Sequence, residues 1–261
     1  MRGEYFFTGK CNYDCFFCLR NEVNMKITST NNTRIDEWIQ LCHYNNVTEI
    51  TLSSFNCEPT IQKDFKNIVF KLLAEGFELE LRTNGTFKKT PENMELLSNF
   101  KTIWFSIQSF SDDIIKNIAN VKHAPQIQNT IIELSKYGVD CRASIIVNQY
   151  NSSENIKTND VIKTLEILND LPIKIVQLRK IYYENNTIDE SDLLGFNTIK
   201  TYVKSFSKIK NSKFNEYKVD NLNVSLWEDV ILTEKGLKYF PATEMITNTG
   251  RIIPKLNEKG I

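Results

Sequence analysis

Between Glu4 and Arg179, short runs of β-branched and aromatic residues alternate with longer stretches whose apolar positions recur at helical spacing. The runs predict strands at Glu4–Gly9, Val47–Phe55, Phe77–Gly85, Thr102–Gln108, Val139–Val147 and Ile173–Arg179. The amphipathic stretches predict helices at Arg34–Asn45, Ile61–Glu75, Pro91–Asn99, Pro125–Tyr137 and Asn155–Asn169. Parallel neighbours need crossovers, and repeated right-handed crossovers curl a sheet towards a barrel. The expected fold class is α/β: a partial (β/α)6 TIM-like barrel over residues 1–182. The polar stretch Glu184–Asp192 reads as a linker, and residues 183–261 as a small C-terminal extension of helix, loop and a β-hairpin around Met245–Pro254.

Strand parity then sorts side chains between helices and lumen, because successive residues face opposite ways. Ile103, Phe105 and Ile107 should face the helices, leaving Trp104, Ser106 and Gln108 inside. On strand five the apolar set Cys141, Ala143, Ile145 and Val147 leaves Arg142, Ser144 and Asn148 in the lumen. On strand six Val176 and Leu178 face out, and Gln177 and Arg179 face in.

Composition narrows the setting. The 261 residues carry 32 Lys and Arg against 32 Asp and Glu, so no overall field recommends a nucleic acid or a membrane surface as partner. The start, MRGEYFFTGKC, lacks the apolar stretch of a secretory signal, and no run of transmembrane length follows. A cytoplasmic protein is expected, in which thiols stay reduced and clustered cysteines bind metal more often than one another.

Three of the cysteines, Cys11, Cys15 and Cys18, stand in CNYDCFFC directly after the first strand, on the rim where parallel barrels hold ligands. A structural zinc site wants four ligands in pairs. Cys42 lies on a helix face, Cys141 lies inside a strand, and His43 and His123 form no pair. Three merely buried thiols are a second reading. An iron–sulfur cluster with three protein ligands, which leaves one iron open, fits the spacing best.

At this point the chain resembles the radical S-adenosylmethionine (radical SAM) enzymes. CNYDCFFC is similar to their CxxxCxΦC loop, with Phe17 as the aromatic residue. SFNCEPTI, RTNGT and FSIQSFSDD follow the next three strands in order and resemble the family's Gly-Gly-Glu-Pro segment, its Thr-Asn-Gly and its strand-four serine. The resemblance implies a [4Fe–4S] cluster on Cys11, Cys15 and Cys18, with S-adenosylmethionine on the open iron. It further implies cofactor contacts from Asn56, Cys57, Glu58, Pro59, Thr83, Asn84, Ser106, Gln108 and Ser144. One electron from the reduced cluster then cleaves the sulfonium, and the 5'-deoxyadenosyl radical abstracts a substrate hydrogen. An external donor of the flavodoxin or ferredoxin type would supply the electron.

The chain also departs from the pattern. Asn56 and Cys57 replace the two glycines, and Asn120 stands where an arginine for the cofactor carboxylate is common, leaving Lys122 to supply the charge. No cysteine follows Cys141, so the auxiliary clusters of SPASM-type relatives are not expected, and the terminal hairpin resembles a cysteine-free remnant of their extension. No leader-capturing domain is expected ahead of the first strand.

For substrate, SFSDD, RASIIVNQYNSSE and KIVQ resemble viperin-like nucleotide dehydratases and molybdopterin-precursor cyclases, which implies a nucleotide or another small anion. Arg142 is expected to anchor it, with Arg179 converging from strand six, unless Arg142 pairs with a barrel acid such as Glu80 or Glu78. Lys204, Lys208, Lys210, Lys213 and Lys218 form a basic face that could serve anions or simply be solvated. A ribosomally made peptide presented by a separate recognition protein is the alternative substrate. A non-enzymatic electron carrier would need a fourth ligand.

Overall fold

The computed structural model describes residues 2–18, 35–54, 57–181, 190–210, 212, 215–227, 231–233, 236–238, 245–247 and 252–253. Strand and helix alternate as β1 (Arg2–Phe7), α1 (Ile35–Tyr44), β2 (Glu49–Ser54), α2 (Phe65–Ala74), β3 (Glu78–Thr83), α3 (Pro91–Ser98) and β4 (Thr102–Ser106). Two helices follow, α4 (Asp112–Ala119) and α5 (Gln128–Lys136), then β5 (Asp140–Val147), α6 (Asp160–Asn169) and β6 (Ile175–Lys180). The remainder holds α7 (Glu190–Lys204), β7 (Ser207–Lys208), β8 (Glu216–Val219), β9 (Leu222–Trp227), β10 (Ile231–Thr233), β11 (Gly236–Lys238), β12 (Met245–Thr247) and β13 (Ile252–Ile253).

Local chemistry explains where helices begin and end. Pro91 opens α3, and the Thr90 hydroxyl accepts from Asn93 N–H. The expected helix Asn155–Asn169 is split into a 3₁₀ turn, Ile156–Thr158, and α6, because Asn159 caps α6 through Val161 N–H. Helix α4 is additional to the expected set, and it stops at Asn120, which takes the left-handed conformation (φ 51°, ψ 39°) that asparagine tolerates.

Among the described residues the main sheet runs β13-β12-β1-β2-β3-β4-β5-β6-β9-β8-β7. From β12 through β9 every neighbouring pair is parallel, and antiparallel strands finish both edges. The sheet is a partial barrel and does not close. The expected terminal hairpin forms as β12 and β13, but β12 also pairs in parallel with β1. The expected loop after α7 contains β8 and β9, and β9 adds a parallel strand beside β6. Glu190–Asp192, read as the end of a linker, belongs to the first turn of α7; residues 184–189 and Lys213 lie outside the described residues.

The outward faces of the strands form the core against the helices. Ile103, Phe105, Ile107, Ala143, Ile145, Val176 and Leu178 are fully buried there, each large one contributing about 1.5–3 kcal/mol on burial. The inward faces are polar and lie in register layers. At the base, Arg2 pairs with Glu80 at 2.6 Å, and the Ser53 hydroxyl donates to Glu4 at 2.7 Å. Burial pushes both carboxyls up; for Glu80 the Arg82 and Arg2 guanidiniums outweigh it, and the net direction is down. No helix among the described residues is long and apolar enough to cross a membrane.

Candidate active site at the cysteine loop

The loop after β1 is clamped on several sides. Gly9 has φ +150°, a conformation that favours glycine, and a Cβ there would displace the Gln62 amide, 2.1 Å away, from its bonds. The Gln62 amide donates to the Lys10 and Glu58 carbonyls at 2.8 and 2.7 Å, tying the loop to the segment after β2. On another side, Asp14 N–H and Phe16 N–H donate to the Ala119 and Ile118 carbonyls. These are last-turn carbonyls of α4, which the helix itself leaves unpaired. On a third side, Asn84 Nδ2 donates to Asn12 Oδ1 at 3.0 Å and Asn12 Nδ2 to Thr86 Oγ1 at 2.6 Å. Phe16 stacks edge-on against Phe17 and Tyr150, bringing in the segment after β5.

Cys11, Cys15 and Cys18 form no disulfide and are half-buried within this clamp. Cys11 and Cys15 pack with Phe16, Phe17, Ile114 and Val121 against Tyr13, Ile118 and Ala119. Cys18 N–H closes a turn onto the Cys15 carbonyl at 3.0 Å. Among the described residues no three His, Cys, Asp or Glu side chains stand close enough to share one metal ion. A four-iron cluster does not ask for that, since each thiolate takes a different iron.

Glu58 is the buried latch behind the loop, with 2% of its surface exposed. Its Oε1 accepts from Thr60 N–H, the Thr60 hydroxyl and the Thr83 hydroxyl, and its Oε2 from Asn84 N–H at 2.8 Å. Burial pushes this carboxyl up, against the pull of those donors. Pro59 is buried and opens the 3₁₀ turn that Glu58 caps. Thr83 also accepts from Gly85 N–H, and Asn84 Oδ1 accepts from Thr86. Glu58, Thr83 and Asn84 thus form one network that joins the loops after β2 and β3 to the cysteine loop.

The other residues singled out from sequence fall in different places. Cys57 N–H bonds Ser54 Oγ, and burial pushes its thiol up to about 11, the state of a protonated, half-buried residue. Asn56 lies outside the described residues. Ser106, Ser144, Gln177 and Ser225 occupy one register layer across β4, β5, β6 and β9. Gln108 is turned to the backbone, where its Oε1 accepts from Ile146 N–H. Lys122 is exposed on the loop after α4.

Arg142 requires a correction. It is the third residue of β5, one layer below Ser144, where it bonds Asp140 two residues away and sits 5.4 Å from the Trp104 ring. The acid it pairs with is Asp140, where the sequence reading named Glu80 or Glu78. Arg179 is one layer above Gln177, 5.8 Å from the ring of its register partner Trp227. Asn12, Gln62 and Trp227 were given no role in the sequence reading; Asn12 lies inside the quoted CNYDCFFC and Gln62 directly follows SFNCEPTI, but Trp227 lies in a strand read as loop.

The sequence profile of the Radical SAM superfamily matches residues 5–159, more than half of the chain. The chain belongs to the radical SAM superfamily. It is therefore an enzyme that uses a [4Fe–4S] cluster and S-adenosylmethionine. Among curated proteins it is 25% identical over 209 residues to the S-adenosylmethionine-dependent nucleotide dehydratase of Selenomonas ruminantium, covering 72% of each chain. It is 21% identical over 197 residues to a probable GTP 3',8-cyclase of Thermococcus kodakarensis, covering 70% of this chain and 62% of that one. Among solved structures, Streptococcus suis SuiB bound to its precursor peptide SuiA overlays 97% of this chain at a TM-score of 0.65 and 15% identity. The overlay spans 58% of the SuiB chain.

The cysteine loop fits the cluster these enzymes carry. It offers three cysteines outside any disulfide, an apolar lining and a backbone that neighbouring loops hold in place.

Proposed function

We propose that the enzyme abstracts a hydrogen atom from a nucleotide-like or other small anionic substrate held in the barrel lumen. Cys11, Cys15 and Cys18 would hold the cluster; the backbone around Cys57–Pro59 would face the methionine amino group and Ser106 the ribose. When bound, the reduced cluster supplies the electron that cleaves S-adenosylmethionine to the 5'-deoxyadenosyl radical. Glu58 keeps the rim loops in register, and Phe16, Phe17 and Tyr150 help to exclude water from the site. The electron donor on this reading is a flavodoxin or ferredoxin.

The observation that carries the substrate reading is the layer above the barrel floor. Gln177 is 8% exposed, lies between Ser144 and Ser225 in that layer, and among the described residues its side-chain amide makes no hydrogen bond. A ligand rich in donors and acceptors would pair with this amide in place of water. One layer up, Arg179 over Trp227 adds a planar cation suited to phosphate or carboxylate. The similarity to the nucleotide dehydratase points the same way. A peptide substrate is the second reading, favoured by the overlay of nearly the whole chain on peptide-bound SuiB.

Anaerobic assays with dithionite, comparing nucleoside triphosphates with peptides, decide between these by substrate-dependent 5'-deoxyadenosine release. In the productive assay, Gln177→Leu should lower product formation by about tenfold or more, the equivalent of one or two lost hydrogen bonds. Uncoupled cleavage of S-adenosylmethionine should stay close to wild type. If it falls as far as product formation, Gln177 serves the cofactor instead.

A further inference from the structure

Tyr13 stands between the first two cluster cysteines, and only 8% of its surface is exposed. Its hydroxyl oxygen is buried and has no hydrogen-bond partner among the described residues. Phenylalanine at this position would pack equally well and avoid about 1–3 kcal/mol of desolvation, as Phe16 and Phe17 do nearby. The ring cannot easily swing out to water. Tyr13 N–H bonds Cys11 Sγ at 3.4 Å, Asp14 N–H is pinned to Ala119, and the ring packs with Ile118, Ala119, Cys11 and Cys15. Cys11 and Cys15 pack against Tyr13, and the Glu58 carboxylate is near enough to act on the phenol electrostatically. Glu58 already accepts from four donors.

We propose that the Tyr13 hydroxyl donates a hydrogen bond to a sulfur of the cluster, or of Cys11 or Cys15 bound to it, and thereby raises the cluster's reduction potential. The physical basis is charge: reduction places an extra electron on the iron–sulfur unit, and a donor at sulfur stabilises that form more than the oxidised one. The inference rests on Cys11, Cys15 and Cys18 being the ligands.

The test is a redox titration of the anaerobically reconstituted enzyme, followed by EPR, with and without S-adenosylmethionine. Tyr13→Phe removes only the O–H. Iron content should match wild type while the midpoint potential moves negative, by about 59 mV for a tenfold change in the one-electron equilibrium. In deuterated buffer, pulsed EPR should show one strongly coupled exchangeable proton fewer than wild type. An unmoved midpoint with an unchanged proton spectrum at full iron content overturns the proposal. If Tyr13→Phe takes up no cluster, fluorotyrosine placed at 13, a stronger donor, should move the midpoint positive, and no movement is then the overturning result. A cluster that survives Cys15→Ala would instead overturn the ligand assignment and leave a different signature.

Discussion

Cys15→Ala is expected to abolish the iron–sulfur cluster and, with it, all release of 5'-deoxyadenosine. Iron and sulfide analysis of the reconstituted protein reads the first effect and chromatography of the cleavage products the second. The expectation rests on what separates these thiols from the other three. Cys11, Cys15 and Cys18 share one clamped loop and are partly accessible, whereas Cys42 and Cys141 are buried in the core. Burial pushes the Cys42 and Cys141 thiols up to about 12 and the Cys57 thiol up to about 11. Iron takes the thiolate, which such surroundings disfavour. Cys42→Ala, Cys57→Ala and Cys141→Ala should therefore keep full iron content, the two core variants losing only packing stability of order 1 kcal/mol. Complete loss of iron from any of those three would falsify the ligand assignment.

Glu58→Gln is expected to lower the melting temperature by about 4–8 °C, equivalent to roughly 2 kcal/mol for a domain of this size. The variant keeps the shape of the side chain, but one carboxylate oxygen becomes an NH2 group. All of the partners recorded for Glu58 are donors, so at least one of Asn84 N–H, Thr83 or Thr60 then faces another donor in a dry site. Because the same latch joins the loops after β2 and β3 to the cysteine loop, the concentration of S-adenosylmethionine needed to perturb the reduced cluster's EPR spectrum should rise by about tenfold. Cluster content should be unaffected. An unchanged melting temperature and cofactor response would show that the latch is dispensable.

The pH dependence has a definite sign at this group. Burial raises the folded-state pKa of Glu58 above the unfolded value of 4.5. Between the two values the folded chain binds more protons, so stability from this group is fully present below 4.5 and lost as pH rises through the raised value. Glu4 acts in the same sense and Glu80 in the opposite one. The difference between wild type and Glu58→Gln isolates Glu58, and the variant's stability should decline less as pH rises through that window.

Local pattern determined the elements of the barrel, because each strand buries one face and each helix one stripe. Ile103, Phe105 and Ile107 alternate with Trp104 and Ser106 for that reason, and the order of strand and helix then leaves a parallel sheet as the economical solution. The cysteine loop was legible as well, since its residues are contiguous and follow β1 directly. What the sequence could not decide is everything that depends on which distant segments meet. The Asp140–Arg142 pair, by contrast, is local, since parity puts both residues on one face of β5. The latch on Glu58 needs Thr83 and Asn84, 25 and 26 positions away. β9 reads as loop because its polar flanks hide a short strand; its stability comes from β6, and only that pairing sets Trp227 beside Arg179. A hydrogen bond or a parallel strand partner is a long-range contact with no local period, so only the tertiary fold could determine it.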